Sequence, residues 1–261
     1  MKTVDFLPYE QFAQLSNAEK DEYVSSKAAE LKVGIKNKEY VKIENASPIP
    51  QHEYVDLGLP NGTLWATCNL GAETPEETGL YFQWADISGY TVSQIGTDKT
   101  FDLAHYKYCN GDVSGMTKYC PTSQSGWWGG SGEPDNKLIL DTEDDAATSN
   151  WGSNWEIPSN ADFEELTGNT TTAWTQVDGV YGMLFTSTAN TNTLFLPAAG
   201  YGIGGEHYYL GSSGYYWSRY LVESTPCDAW SLYVSDNDDC GMGYDCRFYG
   251  YSVRPVWHSN L

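Results

Sequence analysis

The chain has 261 residues and a formal net charge of −21, with 14 basic side chains against 35 acidic ones. This charge argues against binding to nucleic acid or to anionic membrane surfaces, because both need a basic footprint. Residues 1–50 hold seven lysines and eight acidic residues, a net charge of −1, so the remainder carries −20. The difference predicts a small N-terminal module joined to an acidic body.

The N-terminal sequence has no apolar run typical of a secretory signal and no lipid-attachment cysteine. No later run approaches the length of a membrane span. We therefore expect no signal peptide and no membrane insertion. The six cysteines show no CxxC spacing, which without an export signal favours free thiols. A disulfide between Cys240 and Cys246 stays open as an alternative.

Residues 1–33 are predicted to be helical, with a first short helix from Asp5 to Leu15 and a stop at Gly34. The second helix is indicated by a capping box and an apolar stripe, formed by Ser16, Glu19, Val24, Ala28 and Leu31. The stripe is narrow, so the helix must pack on its own body, on another copy or in a larger assembly. Two prolines in residues 45–52 predict a linker. Residues 1–50 are thus assigned to a helical module with a linker, which either packs on its own body or serves docking or oligomerisation.

The body, residues 51–261, begins with a predicted β-hairpin. Val55, Leu57 and Leu59 alternate with other residues and precede Asn61-Gly62, a tight-turn signal followed by a second β pattern. Residues 86–137 are long, irregular and rich in Gly, Ser and Tyr. Segments of this length in compact domains are usually functional or inserted.

Two short helices are predicted next, one in residues 140–152 and one in residues 157–168. The first ends near Asn150, and the second is capped by Ser159 or Asn160 with carboxylates in its first turn. Short strands are predicted at residues 184–186, 194–196, 215–218, 229–234 and 253–257. Two short helices among short strands and long loops predict an α+β fold.

The last fifth of the chain, Gly214–Val256, has strand patterns at both ends and an interior with weak alternation and no helical period. Its interior is rich in Tyr, Ser, Gly and Asp and contains Trp230. Large flat anchors next to small polar groups are typical of binding surfaces. The composition therefore predicts a scaffold that presents a recognition surface.

Ordered motifs run through the body from residue 53 to residue 257: EYVDLGLPNGTLWATCNLGA, GLYFQWAD, NWGSNWEIPS, LFLPAAGY, GYYWS and SVRPV. Together they resemble the major paralogous domain family first described in Fibrobacter succinogenes and abundant in Bacteroidetes. The resemblance implies a C-type lectin-like fold of short antiparallel strands, two short helices and long inserts.

Within this group, a terminal GYYWS…SVRPV segment with an irregular interior resembles the variable proteins of diversity-generating retroelements. There, mutagenic reverse transcription randomises adenine-containing codons in the last segment of the gene. The resemblance implies a ligand-binding protein, not an enzyme, whose variable region spans about residues 214–256. The positions that look diversified are Arg219, Tyr220, Leu221, Cys227, Asp228, Trp230, Tyr233, Asp236, Asp238, Asp239, Gly241, Tyr244, Asp245, Cys246, Phe248, Tyr249 and Tyr251.

The flanking positions look structural: Gly214, Trp217, Ser218, Ser252, Val253, Arg254 and Pro255. Arg254 is expected to be buried and paired. Two interior residues, Glu223 and Met242, fit an adenine-randomised asparagine codon poorly.

Surface lipoproteins of this kind carry an export signal and a lipidated cysteine, neither of which is found here. The resemblance therefore implies a phage tail adhesin that is assembled in the bacterial cytoplasm and carried on the virion. It would dock on a tail or baseplate protein through residues 1–50, with a homotrimer as one option, and bind a host cell-surface protein or glycan. Two alternatives stay open: a bacterial lectin-like binding protein, at the surface or intracellular, with a fixed glycan or protein ligand, and a formylglycine-generating-type oxidase.

The chemistry-bearing residues predict no cofactor. The four histidines lie at no metal-ligand spacing, and the thiols of Cys227, Cys240 and Cys246, which could pair with His258, belong to the irregular tract. Ca²⁺ stays an alternative at three acidic segments, Asp141–Asp145, Asp236–Asp239 and Glu133-Pro134-Asp135. The first is more simply a helix N-terminus and the last a turn.

The tryptophans are predicted to divide by environment. Trp65, Trp151, Trp155 and Trp217 lie in the ordered motifs and are expected in the core. Trp127 and Trp128, in the glycine-rich insert, are either exposed contacts or covers for that core.

Overall fold

The computed structural model describes residues 2–5, 15, 19–20, 22–27, 41–44, 52–112, 115–121, 134–237 and 239–258, with backbone only for 2–5 and 41–44. The chain divides into two compact units, Met1–Gln51 and His52–Leu261. Within the described ranges, no helix combines the length and apolarity needed to cross a membrane.

The sequence predicted helix for residues 1–33, but the described part of the first unit contains two strands as well as helix. Strand β1 (Lys2–Asp5) pairs in parallel with strand β2 (Val41–Glu44), and residues 19–20 and 22–27 are helical. The predicted start of a helix at Asp5 is wrong, because Asp5 is the last residue of β1 and pairs with Glu44. Ser16, Ala28, Leu31, Gly34 and most of the predicted linker lie outside the described residues.

The second unit contains two α-helices, three short 3₁₀ segments and many short strands in its described part. The helices are α1 (Ala146–Trp151) and α2 (Asn160–Gly168), and the 3₁₀ segments are Val92–Gln94, Leu103–His105 and Thr142–Asp144. The strands are β3 (Tyr54–Asp56), β4 (Leu64–Ala66), β5 (Tyr81–Phe82), β6 (Trp155–Glu156), β7 (Thr170–Val177), β8 (Val180–Ser187), β9 (Thr193–Pro197), β10 (Tyr201–Ile203), β11 (Glu206–Tyr208), β12 (Ser213–Leu221), β13 (Asp228–Ser235), β14 (Cys240–Cys246), β15 (Tyr251–Ser252) and β16 (Val256–Trp257).

These strands form several small sheets. The largest has the order β14-β13-β12-β15-β5, and only its β12–β15 pair is parallel. The others are β3-β4-β16-β6, β7-β8-β9 and the hairpin β10-β11, all antiparallel. The predicted α+β class is confirmed at this level: mostly strands in small antiparallel sheets, with few helices.

The largest sheet has a hydrophobic cluster on each side. Along β12 and β13, Tyr216, Leu232 and Val234 point to one side, where they pack with residues of β8, β9 and α2. On the other side, Trp217 and Ala229 pack with a cluster that includes Trp84, Tyr119 and Tyr251. A sheet buried on both sides is a rigid base for the side chains at its ends and edge.

Most of the local predictions for the body are confirmed. The hairpin β3–β4 forms, although seven residues connect its strands, with the Gly62 amide bonded to the Leu59 carbonyl at 2.9 Å. Helix α2 begins after Ser159, whose hydroxyl accepts from the Asp162 amide at 3.1 Å in a capping box. The long β7–β8 hairpin was missed, although Asp178-Gly179 is a typical tight-turn pair.

Three of the four tryptophans expected in the core are fully buried: Trp65, Trp155 and Trp217. Trp151 is half-buried and stacks on His52 with ring centroids 3.9 Å apart. Trp127 and Trp128 lie outside the described residues.

Candidate ligand-binding face

The C-terminal tract forms an antiparallel meander of three strands, β12-β13-β14. In register, Tyr215 lies opposite Tyr233, which lies opposite Gly241 on the edge strand. Because side chains alternate along a strand, Tyr233 and Asp245 project to one side, and Trp230 and Tyr244 to the other. The positions that look diversified are called the display residues below, and the positions that look structural are called the frame. The display residues therefore occupy both sides of the edge of the sheet and do not form a single face.

The seven positions predicted to be structural are all buried: Gly214, Trp217, Ser218, Ser252, Val253, Arg254 and Pro255. Trp217 donates its indole N–H to the Phe82 carbonyl at 2.7 Å, and Ser218 donates to Asn160 Oδ1 at 2.6 Å. These contacts tie the meander to strand β5 and to helix α2.

Arg254 is fully buried and paired, as its sequence context predicted. Its guanidinium donates to Asn69 Oδ1 at 2.9 Å and to the carbonyls of Ala66 and Thr67 at 3.1 and 2.7 Å. All three acceptors are uncharged, and burial lowers the pKa of Arg254 to about 10. The side chain thus joins the last segment of the chain to the end of β4.

The predicted display residues divide by exposure into three groups. Exposed are Asp236, Asp239 and Tyr244. Half-buried are Arg219, Tyr220, Asp228, Trp230, Tyr233, Gly241, Asp245, Cys246, Phe248 and Tyr249. Buried are Leu221, Cys227 and Tyr251. Asp238 lies outside the described residues.

The three buried positions correct the predicted set, because they pack in the core. Leu221 belongs to the cluster around Trp84, and Cys227 packs with Tyr106, Met116 and Cys120. Tyr251 stacks on Trp217 at 4.2 Å between ring centroids and donates to Asp245 Oδ2 at 2.5 Å. Arg219 is also engaged, in an ion pair with Glu156.

At one end of the meander, an open hollow of about 580 Å³ is lined by Leu138, Ile139, Glu223 and Trp230, with Tyr220 and Leu221 beside them. Trp230 also contacts Tyr244 edge to face, with centroids 5.5 Å apart. Ile139, at 41% exposure, is one of the more exposed apolar side chains of the body. Three positions that look diversified, Tyr220, Leu221 and Trp230, thus line a concave apolar surface.

A group of tyrosines that precede the C-terminal tract lies on the opposite side of the meander from Trp230. These tyrosines were not predicted as part of the site. Tyr201, Tyr208 and Tyr209 belong to the hairpin β10–β11 and the turn after it. Tyr201 stacks on Tyr249 with centroids 5.6 Å apart and planes inclined by 12°, and contacts Tyr215 at 5.0 Å. The pair Tyr208-Tyr209 beside glycines could have indicated them, because tyrosine next to glycine is also the composition of the C-terminal tract.

The thiols are all free in the structure. Cys240 and Cys246 stand at opposite ends of β14, about 20 Å apart at the usual rise per residue of a strand, so the alternative of a disulfide between them is wrong. Burial raises the pKa of Cys227 and of Cys240 to about 11, and that of Cys246 to about 12. At neutral pH these thiols are protonated and therefore weak nucleophiles.

The acidic segment Asp141–Asp145 is occupied by protein contacts. Asp144 accepts from Lys107, Lys118, Tyr108 and Tyr119 at 2.5–2.8 Å, and Asp141 pairs with Lys118 and Lys137. Asp145 accepts from the Thr148 amide at the start of α1, the helix N-terminus that its sequence predicted. Among the described residues, no three His, Cys, Asp or Glu side chains are grouped as metal ligands. Glu133 lies outside those residues.

No protein-family model matches the chain, and no curated protein or solved structure was found to be significantly similar to it. The resemblance stated for its motifs therefore stays a prediction.

Proposed function

We propose that this protein is a retroelement-diversified receptor-binding protein with a C-type lectin-like body and no enzymatic activity. The observation that supports this most is how burial is distributed along residues 214–256. All seven predicted frame positions are buried, whereas three of the 16 described display positions are buried and the other 13 are half-buried or exposed.

This distribution suits a protein that changes partner by mutation. Substitutions at exposed positions cost about 0.5 kcal/mol or less, whereas those in a packed core cost several times more. The exposed interior side chains can therefore vary at little cost and the half-buried ones at a moderate cost, while Trp217, Val253 and Arg254 hold the meander in place. The raised pKa values of the thiols further support a binding role over nucleophilic catalysis.

The proposal extends to where the protein acts. The second unit would bind a host cell-surface protein or glycan, and the first would dock on a phage tail or baseplate protein. Several copies on one particle, as trimers or otherwise, would raise the avidity of weak single sites. A shortened chain that lacks residues 1–50 should then fail to enter particles. If it is incorporated as well as the full chain, the docking role is wrong.

The first experiment concerns the gene. Sequencing its surroundings should find a reverse-transcriptase gene and a near-copy of the segment that encodes residues 214–256, differing only at adenines. If neither is present, retroelement diversification is rejected, and the alternative of a fixed glycan or protein ligand takes its place.

The second experiment concerns the protein. A library randomised at Tyr220, Trp230, Tyr233 and Tyr244 should stay folded and should contain members that bind new host-surface targets. A matched library at Trp217, Ser218, Val253 and Arg254 should be mostly unfolded. Equal losses of folded protein in the two libraries would contradict the division into frame and display positions.

A further inference from the structure

We propose that the tyrosine cluster on one side of the meander is a docking site for a polypeptide segment rich in arginine or lysine. This inference rests on the proposed function, because it names the partner class of the same protein. We define the tyrosine platform as Tyr201, Tyr208, Tyr209, Tyr215, Tyr233 and Tyr249. Tyr201, Tyr208, Tyr209 and Tyr215 are not among the positions that look diversified, so the platform is largely fixed.

The platform is continuous through ring contacts. Tyr201 stacks on Tyr209 at 5.9 Å between centroids and on Tyr249 at 5.6 Å. Tyr215 contacts Tyr201 at 5.0 Å and Tyr233 at 5.2 Å. Aromatic groups that hold one another by such contacts lose little entropy when a ligand binds, since few rotamers remain to be frozen.

The platform is also accessible. Tyr208 and Tyr209 are 44% and 57% exposed, and Leu210 beside them is 56% exposed. Opposite Tyr233, the edge strand carries Gly241, and a β-carbon placed there would meet no atom within 4 Å. The face of the Tyr233 ring is therefore not covered by a side chain of the edge strand.

Backbone hydrogen bonds fix the hairpin against the meander. The amide and carbonyl of Gly202 pair with those of Gly250, both at 2.9 Å. At the other end, the Asp236 amide donates to the Ser212 carbonyl at 3.1 Å, which brings the β13–β14 turn next to the turn after β11. The exposed carboxylates of Asp236 and Asp239 lie in that β13–β14 turn.

The exposed charges described from residue 138 onward are of one sign, and Lys99, whose segment pairs with the hairpin at Gly204, is buried beside Asp86. Residues 138–261 contain 16 acidic residues and three arginines. Arg247 and Arg254 are fully buried, and Arg219 is paired with Glu156. Every exposed charged side chain described in residues 138–258 is therefore acidic, with Glu206, Asp236 and Asp239 nearest to the platform along the chain.

Tyrosine faces beside carboxylates recognise cations. A guanidinium or ammonium group is attracted to an aromatic face, and its charge is then neutralised by nearby carboxylates. The negative field also speeds the approach of a basic partner and repels phosphate-bearing and acidic glycans. A neutral glycan could stack on the same rings but would gain nothing from the charge. The observations therefore favour the basic polypeptide.

The test uses the full chain and a twelve-residue peptide of four Gly-Arg-Ser units. The matched control peptide has citrulline in place of each arginine, which keeps the shape and removes the charge. With tyrosine rings labelled with ¹³C, titration of the arginine peptide should shift the NMR signals of Tyr208 and Tyr209. The binding should weaken by about tenfold or more between 50 and 500 mM NaCl, because salt screens exposed charges.

Variants locate the binding. Tyr208→Ser and Tyr209→Ser should each weaken it by about two- to fivefold, the usual size of an exposed cation–aromatic contact. The matched control is Tyr181→Ser, a tyrosine on β8 with a similar exposure of 46%, which should have no effect. Asp236→Asn and Asp239→Asn should also weaken the binding, whereas Asp178→Asn, in the β7–β8 turn, should not.

Several results would overturn the proposal: equal binding of the citrulline peptide, equal effects of Tyr181→Ser or Asp178→Asn, or no shift at Tyr208 and Tyr209. Preferential binding of a neutral oligosaccharide such as maltoheptaose to the platform would replace the basic polypeptide with a glycan. Failure here can be told from failure of the proposed function. If a randomised library still changes its host targets while the arginine peptide does not bind, only the platform proposal fails.

Discussion

The frame segment, residues 252–256, and the edge strand β14 lie only a few residues apart, yet they differ in burial and in the contacts that hold them. Ser252, Val253, Arg254, Pro255 and Val256 are all buried, whereas none of the seven residues of β14 is. The frame is held by side-chain bonds such as those of Arg254, and β14 pairs only with β13 in its sheet. The difference teaches that the buried residues that hold the sheet and the accessible residues occupy separate short segments of one tract.

The largest expected effect concerns Arg254→Met. The variant leaves Asn69 Oδ1 and the carbonyls of Ala66 and Thr67 without their donor, and each buried acceptor left without a partner costs about 1–3 kcal/mol. Urea unfolding followed by tryptophan fluorescence should show this loss, or the variant should not fold. Circular dichroism of the purified protein distinguishes these two outcomes, and a loss below about 1 kcal/mol would contradict the role of Arg254 in the frame.

Asp144→Asn should have the next largest effect. Burial alone would raise the pKa of Asp144, but hydrogen bonds from Lys107, Lys118 and the two tyrosines outweigh it and lower the pKa to about 2. The shift from 3.8 corresponds to about 2 kcal/mol of stability. It is present above pH 4 and lost as the pH falls towards 2.

The measurement is the difference in unfolding free energy between the two proteins at pH 7, 4 and 2.5. It should be nearly constant from pH 7 to 4 and should shrink below pH 4. A difference that does not change with pH would show that Asp144 acts by packing alone.

His258→Gln tests a weaker electrostatic contact at the end of the frame. A hydrogen bond with Asp162 raises the pKa of His258 against the effect of burial, and Glu156 lies 3.3 Å from Nε2. Because the pKa of His258 is higher in the folded state, its protonated form stabilises the fold at a pH below the unfolded-state pKa of about 6.5. This stabilisation is lost as the pH rises through the folded-state pKa. The wild type should therefore exceed the variant by more at pH 6 than at pH 9.

Comparing the two proteins at each pH removes the contributions of His52 and His207, whose pKa values are lowered by burial. If the difference in unfolding free energy between wild type and variant widened with rising pH, the stabilising contact between His258 and Asp162 would be contradicted.

The smallest expected effect concerns the edge strand. Tyr244 is 53% exposed and contacts Trp230 edge to face, so Tyr244→Ala should change the unfolding free energy by about 0.5 kcal/mol or less. Its matched control in the core is Tyr251→Ala, which removes a fully buried ring of the same tract and should cost about 3–5 kcal/mol. Similar losses in the two variants would contradict the distinction between the exposed and the buried positions of the tract.

Local patterns predicted much of the second unit. A helix cap at Ser159 or Asn160, the helix ended near Asn150 and the buried Arg254 were predicted because each depends on residues close in sequence or on one clear chemical requirement, and the structure has the cap at Ser159. The β7–β8 hairpin was not predicted, although the turn pair Asp178-Gly179 is a local pattern that indicates it. In the first unit, Asp5 was predicted to begin a helix, but its strand pairs with residues 41–44, a contact that no short pattern reports.

By itself, the sequence determined the α+β class, the acidic character of the body and the division of the last tract into frame and interior. Only the tertiary structure decided which interior residues are accessible, because burial depends on strands that meet from distant parts of the chain. Tyr251 and Leu221 are in the core for that reason, and Tyr208 and Tyr209 join the tract through the Gly202–Gly250 backbone pair. Side-chain alternation, applied to the observed register, then placed the display residues on both sides of the sheet and not on one.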